Sequence, residues 1–188
     1  PAVLEYIRAD FKLAPIEQGL LGGLQYLGLS LMSPVAASLL SGDGAKKCLC
    51  WSICCNLAFC VLFALSTSDS LLLFCRVGIG ASQAPLVIYS PVWVDEFGGE
   101  SSALWLSILQ GSLPFGVMLG YTIAGSIQAG ASTSDFAPWR IAILVQAALL
   151  LPFAIGLWFV DATLLSTHHA KQRPEKYHVA DATIPAKK

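Results

Sequence analysis

Residues 70–94 read SLLLFCRVGIGASQAPLVIYSPVWV, twenty-five positions in which Arg76 is the single charge. A helix rises about 1.5 Å per residue, so roughly 20 residues cross a hydrocarbon core about 30 Å thick. This stretch is long enough to do so. Four further windows carry no charge at all: 18–42, 48–68, 101–134 and 141–160. The chain of 188 residues is 55% hydrophobic and 12% charged, with a mean hydropathy of +0.66. An average soluble domain is about 25% charged, so too little charge is present here to wet a globular surface, and disorder is excluded for the same reason. The net charge of −1 leaves no basic field for nucleic acid. The expected fold is an all-α membrane protein with five transmembrane helices, at about 17–40, 47–65, 70–93, 102–127 and 138–160.

The connections are short, which makes neighbouring spans antiparallel in one bundle. Ser41-Gly42-Asp43-Gly44 is a turn, Ser68 or Asp69 is placed to cap the third span, residues 95–101 form an acidic loop and residues 129–138 a loop of small residues. Lys46, Lys47 and the five basic residues of the tail, Lys171, Arg173, Lys176, Lys187 and Lys188, fall on one side. Arg8, Lys12 and Arg140 fall on the other. The positive-inside rule puts the first group, and with it the polar tail 161–188, in the cytoplasm. Residues 1–16 are then an outer segment, read as a loop. The chain begins at Pro1 with no signal-peptide pattern; a bundle entered from outside needs either a translocated N-terminus or a span upstream, and the upstream span is the expectation.

Arg76 lies inside the third span among Phe74, Cys75, Val77 and Ile79. An arginine at that depth costs about 2.5–3.5 kcal/mol or more, and normally faces the bundle interior and a partner. Snorkelling to the outer interface is the alternative. No carboxylate lies inside another span, so a partner would come from a missing helix, a substrate anion or Asp69. Around Arg76, Gly78, Gly80, Ala81, Ser82 and Ala84 strip bulk from the helix, Pro85 and Pro91 can bend it, and Gln83 and Tyr89 add polar groups. That suits a moving cavity wall, or ordinary close packing.

In the fourth span Ser112, Gly116, Gly120 and Ala124 recur every four residues beside Gly111 and Pro114. The stripe predicts a tight helix contact and a bending point. Gln25 and Tyr26 in the first span either line a polar path or bond between helices. Five of the six cysteines crowd 48–60 without paired modules or a nearby histidine, so they read as small hydrophobes and no metal site is expected. His168, His169 and His178 belong to a solvated tail. No nucleophile–base pair or phosphate-binding glycine loop occurs, so neither an enzyme nor a cofactor is expected.

Several of these segments resemble the N-terminal half of a major facilitator superfamily transporter, in particular its Spinster-like branch, over about residues 3–160. Residues 4–13 look like the outer loop after the family's first helix, and Gly19-Leu20-Leu21-Gly22 like the start of its second. Arg76-x-x-x-Gly80, Ala84, Pro91 and Asp95-Glu96-Phe97 are similar to the arginine–glycine motif and helix exit of the branch. The resemblance implies that the five spans are the family's second to sixth helices. It makes Arg76 the central-cavity arginine, paired with an acid on a first helix absent here. Gly111, Pro114, Gly116 and Gly120 resemble the gating motif of the family's fifth helix. Leu39, Gly44, Lys46 and Lys47 fit its cytoplasmic loop, but Ser41 stands at the aspartate position unless Asp43 substitutes. Gln83 stands where the branch often has glutamate, and a neutral amide cannot carry a proton.

The reading this implies is a secondary transporter of a small organic or amphiphilic solute, working by alternating access. Its partners would be the lipid bilayer, the missing first helix and a C-terminal six-helix bundle, in the plasma or an endolysosomal membrane. The substrate is left open, with a lean towards lysophospholipid- or sphingolipid-like amphiphiles. The alternative is a non-transporting membrane interaction protein, or a half-transporter remnant, packing through its glycine-rich helix.

Overall fold

The computed structural model describes residues 3–40, 44–130 and 137–165. Asp43 and nearly all of the expected tail lie outside the described residues. Five long apolar helices account for the bulk of what is described: α2 (Pro15–Leu40), α3 (Ala45–Leu65), α4 (Asp69–Phe97), α5 (Ser102–Gly130) and α6 (Pro138–Phe159). A short helix α1 (Leu4–Phe11) precedes them, and single 3₁₀ turns follow α4 at Gly99–Ser101 and α6 at Ala162–Leu165. All five long helices are apolar enough to cross a membrane. The protein is an integral, multi-pass, all-α membrane protein.

Local chemistry sets several of the helix ends. Proline at the first position of a helix forfeits no bond, and a carboxylate three residues past the cap can reach back to an orphan N–H. Pro15 opens α2 in this way, and the Ala14 N–H donates to Glu17 Oε2 at 2.8 Å. Lys12 adopts the left-handed conformation (φ 52°) that closes α1. Ser68 stands at the cap of α4 with extended backbone, but its hydroxyl makes no capping bond. Between α3 and α4 the chain turns tightly at Ser66, fully buried, whose hydroxyl donates to the Phe63 carbonyl at 2.7 Å.

Within residues 1–16, expected as an outer loop, Leu4–Phe11 forms the helix α1, because its apolar residues fall on one face with something to cover. Ile7 is fully buried, and Leu13 nearly so. They close over the end of the bundle where Phe63 of α3 and Trp139 of α6 meet edge-on, their ring centroids 6.0 Å apart. Phe11 meets the same indole at 6.1 Å, and the Trp139 Nε1–H donates to Asp10 Oδ2 at 3.0 Å. A buried indole needs such a partner for its N–H.

The bundle is built around α4, against which α2 and α3 pack most extensively, with α6 against α3. α2 and α4 cross with their backbones in contact. A Cβ on Gly28 would fall on the Val77 carbonyl, and a Cβ on Gly80 on the Gln25 carbonyl. Close approach of this kind is what small residues permit in a membrane, where van der Waals packing replaces the hydrophobic drive between helices. α5 touches α4 and α6 over less of its length, and of its own residues only Ala124 is buried.

Candidate functional site

Arg76 sits on α4 two turns into the helix, half-buried, just N-terminal to the crossing with α2. Because Gly80 lets α2 approach, Gln25 is brought against the same face of α4 one turn below. The Arg76 Nη1–H donates to Gln25 Oε1 at 3.3 Å, and Gln25 Nε2–H donates onward to Gln83 Oε1 at 3.0 Å. On its other side the guanidinium lies over the Phe63 ring, 4.5 Å from the centroid. Among the described residues its partners are thus an amide and a π-face, with no carboxylate. Its Nε is buried and has no hydrogen-bond partner.

Magnitudes show what this arrangement leaves over. Burying the guanidinium costs at least about 2.5–3.5 kcal/mol. One interhelical hydrogen bond returns about 1 kcal/mol or less, and a desolvated cation–π contact about 2. The contacts roughly offset the minimum insertion cost, but they neutralise no charge and leave an N–H unused. Gln25 and Gln83 are oriented by each other: Gln25 spends its carbonyl on Arg76 and its amide on Gln83. The group can therefore offer positive charge and directed N–H donors to an anion, and it holds no acid of its own.

A second polar cluster, between α3 and α4, was not singled out from the sequence. Asn56 Nδ2 donates to the Ile79 carbonyl at 3.3 Å and to Ser82 Oγ at 3.1 Å, while Ser82 Oγ donates to Ile79 at 2.9 Å. The Ser52 hydroxyl donates to the Ser82 carbonyl. Cys60 Sγ lies 3.7 Å from Asn56 Oδ1, so this cysteine is more than an apolar filler. Ser52, Asn56 and Ser82 are all buried. The available signal was the spacing Ser52, Asn56, Cys60, three polarisable groups four residues apart on one face of a span. Interhelical bonds of this type contribute about 0.6 kcal/mol each on average, up to about 1.7. Asn56→Leu removes two of them, and we expect it to cost about 1–2 kcal/mol. Thermal unfolding of the purified protein in mild detergent measures this, and an unchanged midpoint would show the cluster to be inert.

The other residues singled out from sequence fall in different places. Tyr26 follows Gln25 but points away from α4, 72% exposed. Tyr89, expected beside the route, is instead buried among Leu40, Ala45, Leu49 and Leu165 towards the far end of α4. Its hydroxyl donates to the Leu165 carbonyl at 2.7 Å, and Trp93 Nε1 donates to the Leu164 carbonyl at 3.0 Å. The two rings fasten the turn after α6 onto α4. Pro85 is buried inside an α4 that runs on unbroken past both its prolines. Gly111, Gly116 and Gly120 meet nothing: a Cβ on any of them would have no neighbour within 4 Å. The tight contact expected of that stripe is not made within the described residues, and Pro114 lies on the same exposed helix. In the loop segment, Leu39 is exposed, Gly44 caps α3, Lys46 is half-buried and Lys47 exposed.

An unneutralised arginine inside an apolar span marks a functional site by default, and comparison with known sequences gives the family. The profile of the Major Facilitator Superfamily matches residues 1–185. The chain belongs to this superfamily. Two relatives in Arabidopsis thaliana carry the name probable sphingolipid transporter spinster homolog. Homolog 2 is 26% identical over 150 residues, covering 79% of this chain and 30% of the relative. Homolog 3 is 28% identical over 153 residues, covering 79% of this chain and 27% of the relative. The chain thus spans about three-tenths of the length of the curated relatives it matches. No solved structure matches it. Within the superfamily this chain is Spinster-like, and its five long helices form an N-terminal-type bundle.

Proposed function

We propose that this chain is part of a secondary transporter that moves an amphiphile with an anionic headgroup. It would work by alternating access, rocking against a second six-helix bundle around a site near the membrane midplane. Arg76 is the anion receptor. Gln25 and Gln83 hold it in place and present further N–H groups. The observation that carries the reading is a half-buried guanidinium with no acid opposite it among the described residues and with its buried Nε–H left unpaired. The names of the plant relatives point to sphingolipids, whose phosphorylated forms join such a headgroup to a long chain. An acid on the family's first helix would occupy Arg76 when the solute is absent and give way to it when it binds. The open face of α5, with Gly111, Pro114, Gly116 and Gly120, is where the first helix and the second bundle would close. Leu39, Asp43, Gly44, Lys46 and Lys47 would form the cytoplasmic loop of that closure, with the tail on the same side. The host membrane would be the plasma membrane or an endolysosomal one.

The reading predicts that cells expressing the protein accumulate, or export, a fluorescent sphingoid-base phosphate in a time-dependent way. The corresponding neutral alcohol should move at the rate seen in control cells. Movement of neither, or of the neutral form alone, would contradict the anionic solute.

A further inference from the structure

A groove of about 580 Å³ runs between α3 and α6. Every side chain that lines it is apolar, with Leu57, Val61 and Leu65 on one wall and Leu144, Ala148 and Leu151 on the other. The walls keep two turns of helix in register, about 12 Å along the bilayer normal. Ala58 and Ala148 leave the depression open to the lipid, because neither has a side chain long enough to cross it.

One end of the groove is charged. Arg140 lies one turn before Leu144 on the same face of α6. Its Nη1–H donates to the carbonyl of Ala64, the residue before Leu65, at 2.9 Å. The guanidinium therefore bridges the two walls where they end, with its face 4.7 Å from the centre of the Trp139 ring. The adjacent Asp10 carboxylate is taken by the Trp139 indole rather than by Arg140. Among the described residues no ion pair engages Arg140, and its other N–H groups are without a partner.

A cation at one end and an apolar channel running from it into the membrane match the polarity of a lipid. We propose that this groove is a binding site for an anionic glycerophospholipid, its phosphate on Arg140 and one acyl chain between Leu57, Val61, Leu144 and Leu151. The lipid lies in the leaflet on the Arg140 side. It lies along the contact between α6 and α3, and it is separate from the proposed solute site at Arg76.

The test uses the full chain in nanodiscs of equal phosphatidylglycerol and phosphatidylcholine, released into mild detergent and weighed intact with its bound lipid. A basic residue near the surface attracts anionic lipid with an energy that corresponds to about fivefold enrichment. Wild type should retain phosphatidylglycerol over phosphatidylcholine by about that factor. Arg140→Gln should lose the preference while still retaining lipid, and Arg140→Lys should keep part of it. Ala148→Phe fills the groove from an exposed position and should lower retention of both lipids. Equal retention of the two lipids by wild type would overturn the proposal. So would undiminished retention by Ala148→Phe, or a second copy of the chain in the groove, seen as a dimer that Ala148→Phe abolishes.

Discussion

In the full-length transporter, Arg76→Ala should reduce transport to background while the protein still reaches the membrane in normal amount. Removing one partner of a buried charge interaction costs about 2–5 kcal/mol, and every 1.4 kcal/mol is tenfold in affinity. The solute's affinity should therefore fall at least about 30-fold. The bundle itself should tolerate the change, because removing Arg76 also removes its insertion cost. What is lost internally is one hydrogen bond to Gln25 and the contact with Phe63. Arg76→Lys is the sharper variant. Lysine keeps the charge, but as a point charge with no Nε and no planar fork to lie on the Phe63 ring while bonding sideways. It should lose at least about tenfold in affinity. Uptake by Arg76→Lys at the wild-type rate would mean that charge alone suffices. Uptake by Arg76→Ala at that rate would remove the residue from the mechanism.

Gly80→Val should destabilise the bundle by about 3 kcal/mol or more, towards or beyond the upper end of what overpacking costs. The added side chain would meet backbone, the carbonyl of Gln25, which cannot move aside as a flexible side chain can. Gly28→Val should behave alike, since its Cβ would fall on the Val77 carbonyl. Gly120→Val is the control: it meets nothing within 4 Å and should cost less than about 1 kcal/mol. Thermal unfolding in detergent, followed by loss of the monodisperse peak, separates the two classes. Similar midpoints for Gly80→Val and Gly120→Val would show that the backbones do not meet at Gly80. Because the same crossing delivers Gln25 to Arg76, Gly80→Val should also disable the site in whatever fraction folds.

The reach of the sequence ended where depth in the membrane gave way to rotation about a helix axis. Charge-free length placed five spans, and the lone charge among them drew attention to Arg76. Hydropathy could not say which way Tyr26 and Tyr89 face, because a lipid-facing surface and a helix-packing surface are both apolar. The structure turns Gln25 onto α4 and its neighbour Tyr26 away from it, and gives Tyr89 to the Leu165 carbonyl. The link between Gln25 and Gln83 spans 58 positions of sequence and depends on where two helices cross. Small-residue spacing was informative at Gly80, where the bulk stripped from α4 lets a second backbone approach. Gly28 and Gly80 make the close contact, whereas the more regular stripe at Gly116 and Gly120 is left open. Asn56 is a single amide in a span that hydropathy shows only as strongly apolar. Its spacing of four from Ser52 and Cys60 carried the information. The segment before the first span is amphipathic over residues 1–14, but so short a stretch takes its helical fold from docking against Trp139.

The central claim is that the Arg76 guanidinium is the anion receptor. It is tested most directly by equilibrium binding of a sphingoid-base phosphate and its neutral alcohol to wild type and Arg76→Gln in zwitterionic vesicles. The account predicts that wild type prefers the phosphate by at least about tenfold, or roughly 1.4 kcal/mol, and that Arg76→Gln binds the two alike. An undiminished preference for the phosphate in Arg76→Gln would contradict it.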